Sequence, residues 1–324
     1  MTLLQSIDGL IDNISVTDRQ EEDIKGSLSN LDSHLLDDEN DLHIDRTFPN
    51  GSYERDTILR PLDDIDLFAV LNIEKWKEEN GELPSPQKVL TKLKSFLEKQ
   101  DEYKGKVSQD RPCVTIELSK KGFDVLPSFP TFGGGYMIPN RDLTTWTFSY
   151  PEQLTRDLDA VHRERKYRVK QVIKVAKYWN RDNNKLIPSY HIEESAISIF
   201  TLNDFTNFEE AIRLWFDNAA TYLSSVKFKS EDDYNSAISK INKVKNKLTD
   251  AKEKYDAGKE EEAVEIWKVI FGREFPTVSA EEAKAFSKSF SDGTLKIGST
   301  GLLSATAGAA IPASKGFYGD VPTL

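Results

Sequence analysis

Apolar residues along this chain follow two periods, and the change from one to the other divides it. Near the N-terminus Ile24, Leu28, Leu31 and Leu35 recur every three or four residues, the spacing of one helix face. Thr17 followed by Gln20 fits a capping box, so a helix is expected from about Ile14 to Leu36. From about Asp45 to Pro151 the pattern is mixed. The runs Asp64 to Leu71, Cys113 to Leu118 and Phe123 to Leu126 read as strands. Ser119-Lys120-Lys121-Gly122 between the last two reads as a hairpin connection. One helical stretch, Ser85 to Gln100, carries Val89, Leu90, Leu93, Phe96 and Leu97 at helical spacing.

From Thr155 onward the pattern is helical. Three apolar stripes stand out: Val169, Val172, Ile173, Ala176 and Trp179; Phe208, Ile212, Trp215, Ala219 and Tyr222; and Ala263, Ile266, Trp267, Ile270 and Phe271. Thr206 with Glu209 suggests a capping box for the second, and Gly272 and Pro276 stop the third. Ile297 to Leu324 is rich in Gly, Ser, Thr and Ala without a sustained period, which reads as a flexible tail. The expected plan is α+β: a mixed core over 1–155, a helical lobe over 156–276 and a tail over 277–324.

Composition narrows the function classes. The chain has 324 residues, and its hydrophobic share of 38% and charged share of 30% suit a globular protein. No apolar run approaches the ~18 residues that span a bilayer, and the N-terminus lacks a signal-peptide pattern. A cytoplasmic protein without membrane attachment is expected. The single cysteine, Cys113, excludes an internal disulfide or a multi-cysteine zinc site. A formal charge of −11 disfavours a protein that coats nucleic acid non-specifically.

The candidate chemistry begins at Asp64-Ile65-Asp66, which runs straight into an apolar strand. Strand residues alternate faces, so the two carboxylates share one side, roughly 6–7 Å apart at Cα. Like charges at the edge of a buried strand repel unless a cation lies between them, and Mg²⁺ suits such oxygen donors. An isolated D-x-D more often marks a solvated acidic turn. Gly51-Ser52, upstream, offers backbone N–H groups and a hydroxyl to phosphates, although a Gly-Ser pair alone also fits a plain turn. Asp124, between Phe123 and Val125, is a lone acid in an apolar strand and the candidate third carboxylate. Downstream, Lys166, Lys170, Lys174, Lys177 and Arg181 make a basic stripe with Glu164 as the only acid between Arg163 and Arg181. Ser189-Tyr190 follows Pro188 and offers a hydroxyl and an aromatic platform for a base.

Together, Gly51-Ser52, Asp64-x-Asp66 and Asp124 resemble the polymerase-β-like nucleotidyltransferase superfamily. Further segments narrow the likeness to one branch: Arg111 to Ile116, Phe123 to Pro127, Gly134 to Pro139 with Trp146, Lys174 to Asn180, Ser189-Tyr190-His191 and Trp267 to Pro276. They resemble the cyclic-oligonucleotide synthases related to cyclic GMP–AMP synthase and DncV, the CD-NTase family. The resemblance implies a nucleotidyltransferase core, a helical C-terminal lobe and a long N-terminal bracing helix. It also implies two Mg²⁺ ions, with Mn²⁺ able to substitute. Asp64 and Asp66 would hold both ions, and Asp124 would complete one site. Ser52, Lys177 and Ser189 would bind phosphates, with Gly51 and Lys174 beside them, and Tyr190 would stack on a base.

The implied product is a cyclic di- or tri-nucleotide made from ATP and/or GTP, sensed by a downstream effector in bacterial anti-phage signalling. With one cysteine the zinc ribbon of the animal enzyme has no counterpart, so double-stranded DNA is not expected to activate this chain. The tail offers room for a regulatory partner. His191 reads as a packing residue, and Gly133-Gly134-Gly135 as a turn. Two other functions share these features: nucleotide transfer to a protein, tRNA or small molecule, and an inert nucleotide- or RNA-binding module.

Overall fold

The computed structural model describes residues 1–62, 64–110, 112–277, 285, 288, 289, 291–297, 303–305 and 309–310. Contacts divide the chain into a body of Thr2–Phe275 and a second unit of Met1 with Pro276–Leu324. In the body, seven strands form one mixed sheet: β1 (Ile44–Pro49), β2 (Ile65–Leu71), β3 (Val107–Asp110), β4 (Cys113–Leu118), β5 (Lys121–Pro130), β6 (Tyr136–Pro139) and β7 (Trp146–Ser149). Their order is β1-β2-β5-β4-β3, with β6 on β5 and β7 on β6. Only β2 and β5 run parallel.

Alternation along β2 decides what each sheet face carries. Ile65, Leu67, Ala69 and Leu71 are fully buried in a core with α2 (Asp18–Leu35) and α5 (Pro86–Glu98). Removing such side chains from water contributes roughly 1.5–3 kcal/mol each. The intervening residues, Asp66, Phe68 and Val70, therefore face the other way. There Phe68, Val70 and Tyr136 make a small aromatic cluster with Phe48 and Leu126. The carboxylates are thus placed opposite the core by the pleat itself.

The N-terminal helix implied by the resemblance is two helices in succession. α1 (Leu3–Ile14) is capped by a Thr2/Gln5 box and α2 by the Thr17/Gln20 box. Thr17 is extended (φ −85°, ψ 156°), and its hydroxyl accepts the Gln20 N–H, restarting the chain as a new helix. Each helix serves a different core. Leu3, Ile7, Leu10 and Ile14 of α1 join the helical lobe, while Ile24, Leu28, Leu31 and Leu35 of α2 join the sheet.

The helical lobe comprises α6 (Pro151–Glu164), α7 (Val169–Asp182), α8 (Ser189–Leu202), α9 (Phe208–Tyr222), α10 (Glu231–Asp256) and α11 (Glu260–Phe271). The three apolar stripes read from the sequence fall on α7, α9 and α11. The capping box proposed at Thr206 and Glu209 does not form. Asn207 (φ −147°, ψ 173°) is the N-cap, and its side chain accepts the Glu210 N–H. The Glu210 carboxylate in turn accepts the backbone N–H and hydroxyl of Thr206. Gly272 ends α11 at φ +66°, as its position suggested.

In the second unit, β8 (Lys296–Ile297), β9 (Leu303–Ser304) and β10 (Ala309–Ala310) pair antiparallel in the order β10-β8-β9. Two-residue strands are too short to show alternation and give no strand signal, but a ladder needs only backbone groups. Residues 277, 285, 288, 289, 291–295 and 305 of the predicted flexible tail are also described, and its other residues lie outside the described ones. Among the described residues no helix is long and apolar enough to cross a membrane.

Candidate active site

The parallel pairing of β2 with β5 sets Asp66 directly beside Asp124 in register. On the next strand, Thr115 is the register partner of Asp124, and its hydroxyl donates to Asp124 Oδ1 at 2.6 Å. Three neighbouring strands thus present Asp66, Asp124 and Thr115 in one row. Burial above all, then the charges of Asp124 and Asp64, push the Asp66 carboxyl up to about 6, against the pull of Arg55 and Lys177. Asp124 is raised by burial and by Asp64 and Asp110, while the Thr115 hydrogen bond works the other way.

Two glycines make room for the acids. Gly51, at φ +67°, opens α3 (Gly51–Glu54); a Cβ on it would lie 1.7 Å from Asp66 Oδ2. A Cβ on Gly122 would lie 2.0 Å from Asp64 Oδ1. Asp64 therefore rests against one glycine and Asp66 against the other, with Asp124 tied to Thr115. As they stand, no three His, Cys, Asp or Glu side chains among the described residues converge as a metal-holding group.

A cavity of about 400 Å³ opens over these residues. Gly51, Ser52, Asp64, Asp66, Lys177, Ser189 and Tyr190 all line it, so β2, α3, α7 and α8 meet at one place. Lys174 does not line it: its ammonium pairs with Asp56 at 2.8 Å. Asp124 lies behind the lining, in the strand beside Asp66.

The basic stripe is partnered more fully than the local sequence suggested. Lys166 precedes α7 in a left-handed conformation (φ +55°). Lys170 pairs with Asp159 at 2.8 Å, and Lys177 with Glu193 at 2.5 Å. The balancing acids come from α6, α8 and the turn after α3, which a count along α7 does not reveal. Arg181 lines the cavity and donates to the Arg60 carbonyl at 2.9 Å.

Sequence reasoning passed over Arg55, Thr57 and Glu193, which also line the cavity. Glu193 is wholly buried. Burial works against its charge, yet Lys177 and Arg55, with hydrogen bonds from Lys177 and Thr57, hold its carboxyl below the ordinary value. Nothing in Ile192-Glu193-Glu194-Ser195 distinguishes this glutamate from a surface one. Tyr190 remains substantially exposed, with Lys227 Nζ 5.7 Å from its ring centroid.

His191 is buried, and its Nε2 accepts the Ser224 N–H at 2.8 Å. Its Nδ1 therefore carries the proton and donates to Glu194 at 2.9 Å. Burial lowers its pKa, so the neutral ring ties α8 to the segment after α9, consistent with a packing role.

Residues 1–161 match the family model of the Second Messenger Oligonucleotide or Dinucleotide Synthetase domain. A probable cyclic nucleotide synthase of Bacillus cereus is 28% identical over 269 residues, covering 70% of this chain and 81% of that protein. Among solved structures, Escherichia coli CdnC with ATP superposes at a TM-score of 0.67 with 18% identity, over 85% of this chain and 98% of that one. Vibrio cholerae DncV, a cyclic AMP-GMP synthase caught with a linear intermediate, follows at 0.66 and 12%, over 85% and 97%. At those identities the structures speak to the fold, while the domain match and the Bacillus relative speak to descent. With the carboxylate row lying inside the matched domain, the chain belongs to the CD-NTase family of nucleotidyltransferases.

Proposed function

We propose that this chain is a metal-dependent synthase that joins ATP and/or GTP into a cyclic di- or tri-nucleotide, releasing pyrophosphate at each bond. The product would act on an effector in bacterial anti-phage signalling. The observation that carries this reading is the register of Asp66 with Asp124, closed from above by the Gly51-Ser52 turn. An electrostatic cost of this kind has a use where cationic and phosphate groups bind.

The donor set suits Mg²⁺ or Mn²⁺: it is oxygen-only, and burial first, then repulsion from Asp124 and Asp64, already raises Asp66. Asp64 and Asp66 would hold two ions, with Asp124 completing one site. Bound there, the ions would neutralise triphosphate charge and make the attacking hydroxyl more acidic. The chain's own groups do the rest. Ser52 and Ser189 offer hydroxyls and Lys177 an ammonium to the β- and γ-phosphates. Tyr190, partly exposed at the cavity wall, offers a face to a base. Lys174 is turned to Asp56, so phosphate binding rests on Lys177 with Arg181 and Lys185.

The test is incubation with four labelled ribonucleoside triphosphates and Mg²⁺ or Mn²⁺, then phosphatase treatment and mass analysis. A phosphatase-resistant ring is expected, absent with Asp64→Asn/Asp66→Asn. Label attached to a protein, tRNA or small acceptor would instead identify a transferase of another kind. Binding without turnover would identify an inert module.

Thr115→Val gives a second, finer expectation. It keeps the shape but removes the hydrogen bond that favours ionised Asp124. A bond of that class is worth about 1.5–3 kcal/mol, so turnover should fall roughly ten- to a hundredfold. The acid limb of the pH–rate profile should move to higher pH, because Asp124 becomes harder to ionise. An unmoved limb would remove Asp124 from the chemistry.

A further inference from the structure

We infer that Glu193 is the positioning residue of the phosphate site, acting through Lys177, Arg55 and Thr57; this rests on the nucleotide reading above. Glu193 Oε1 accepts the Lys177 ammonium at 2.5 Å and the Thr57 hydroxyl at 2.5 Å. Its Oε2 accepts Arg55 Nε at 2.7 Å. Lys177 also donates to the Thr57 hydroxyl at 2.8 Å, which closes the network. All four side chains are at least nine-tenths buried. Separating either cation from such a carboxylate would leave an uncompensated buried charge.

The network reaches the turn that carries Ser52 from behind. Arg55 follows α3, and its backbone N–H donates to the Gly51 carbonyl at 3.3 Å. The Thr57 N–H donates to the Ser52 carbonyl at 2.8 Å. On the other side, Ser189 lies four residues before Glu193 on α8, on the same helix face. One carboxylate therefore fixes Lys177 of α7, Ser189 and Tyr190 of α8, and the Gly51-Ser52 turn relative to one another. It also sets the charge of the cavity, whose lining holds Arg55, Lys177, Arg181 and Lys185 against Asp64, Asp66 and Glu193.

These two roles separate on substitution. Glu193→Gln removes the charge and turns either an amide N–H₂ or a neutral carbonyl toward donors, so Arg55 and the Ser52 turn lose their anchor. The extra net positive charge attracts triphosphate more strongly. We expect kcat to fall on the order of 100-fold, the scale of a roughly 1 Å misplacement. KM for ATP or GTP should fall about threefold in 50 mM salt and return toward wild type at high salt. Glu193→Asp keeps the charge on a shorter arm, so KM stays at the wild-type value and part of kcat returns. Thr57→Val, an isosteric change, should lower kcat about tenfold, the value of one hydrogen bond to a charged group.

A merely structural glutamate would reduce the active fraction and leave KM alone. Active-site titration with ATP binding, beside the kinetics, reads that fraction directly. Wild-type turnover with Glu193→Gln and Thr57→Val both within twofold of it would overturn the inference and leave the function intact. So would a kcat loss that tracks the active fraction at unchanged KM. A wild-type protein that neither binds nor turns over any triphosphate would overturn the function and the inference together.

Discussion

Asp66→Asn should abolish cyclic-nucleotide synthesis and at the same time make the protein more stable at neutral pH. The carboxyl of Asp66 is half-buried at the cavity floor, with its pKa pushed up to about 6 by burial first and then by Asp124 and Asp64. An acid whose pKa is raised on folding binds its proton more tightly in the native state than in the unfolded chain. Stability is therefore lost as pH rises from about 4 through about 6, and the cost is fully present above that. A shift of this size corresponds to about 3 kcal/mol. Asparagine is close in shape and carries no charge, so this cost disappears.

Thermal midpoints of the two proteins should therefore coincide near pH 4 and diverge through pH 6. By pH 8 the variant should be several degrees higher, since 1 kcal/mol moves a protein of this size by about 2–4 °C. Mg²⁺ should raise the wild-type midpoint at pH 8 and leave the variant unmoved. Turnover should fall at least about 1,000-fold. A variant less stable than wild type at pH 8 would show that the carboxylate earns its place structurally, and the metal reading would lose its main physical support.

What the sequence displays of this design follows from locality. The Thr17/Gln20 box and the stripes of α7, α9 and α11 are all set by residues within a turn or two of each other. The same Thr-x-x-Gln signal stands at Thr2 and Gln5, where it marks α1, a helix that the apolar pattern could have supported through Leu3, Ile7, Leu10 and Ile14. α10 went unread because its core stripe (Ala237, Ile241, Val244, Leu248, Ala251) is thin and flanked by charges on every side. At Thr206-Asn207 two good caps compete, and the extended backbone of Asn207 decides.

The site divides in the same way. Asp64 and Asp66 are legible because strand alternation is local, and Asp124 because a lone acid in an apolar run is unusual. Their pairing depends on β2 meeting β5 across some fifty residues of intervening chain, and only motif resemblance anticipated it. Glu193 is beyond either route. Its burial comes from Arg55, Thr57 and Lys177 arriving from two other parts of the chain. Lys174 shows the reverse error, a periodic lysine that tertiary structure assigns to Asp56.

Adding one methyl group at either of two glycines should disarm the site from outside its carboxylates. Gly51→Ala meets two obstacles. Its φ of +67° disfavours any L side chain, and the new Cβ would overlap Asp66 Oδ2 at 1.7 Å. The turn carrying Ser52 and the carboxylate both have to move, so turnover should fall at least about 100-fold. The strained conformation should also cost roughly 1–2 kcal/mol of stability. Gly122→Ala is the cleaner experiment. Its φ is ordinary, and the overlap, 2.0 Å, is with the Asp64 carboxylate alone. The side chain can rotate away, so the thermal midpoint should hold nearly constant while turnover drops about tenfold or more. Displacing a metal ligand weakens metal binding, so the Mg²⁺ concentration for half-maximal rate should rise, and excess Mg²⁺ should restore part of the loss. A Gly122→Ala protein with wild-type Mg²⁺ dependence would mean that Asp64 does not bind the ion, and the metals would then depend on Asp66 and Asp124.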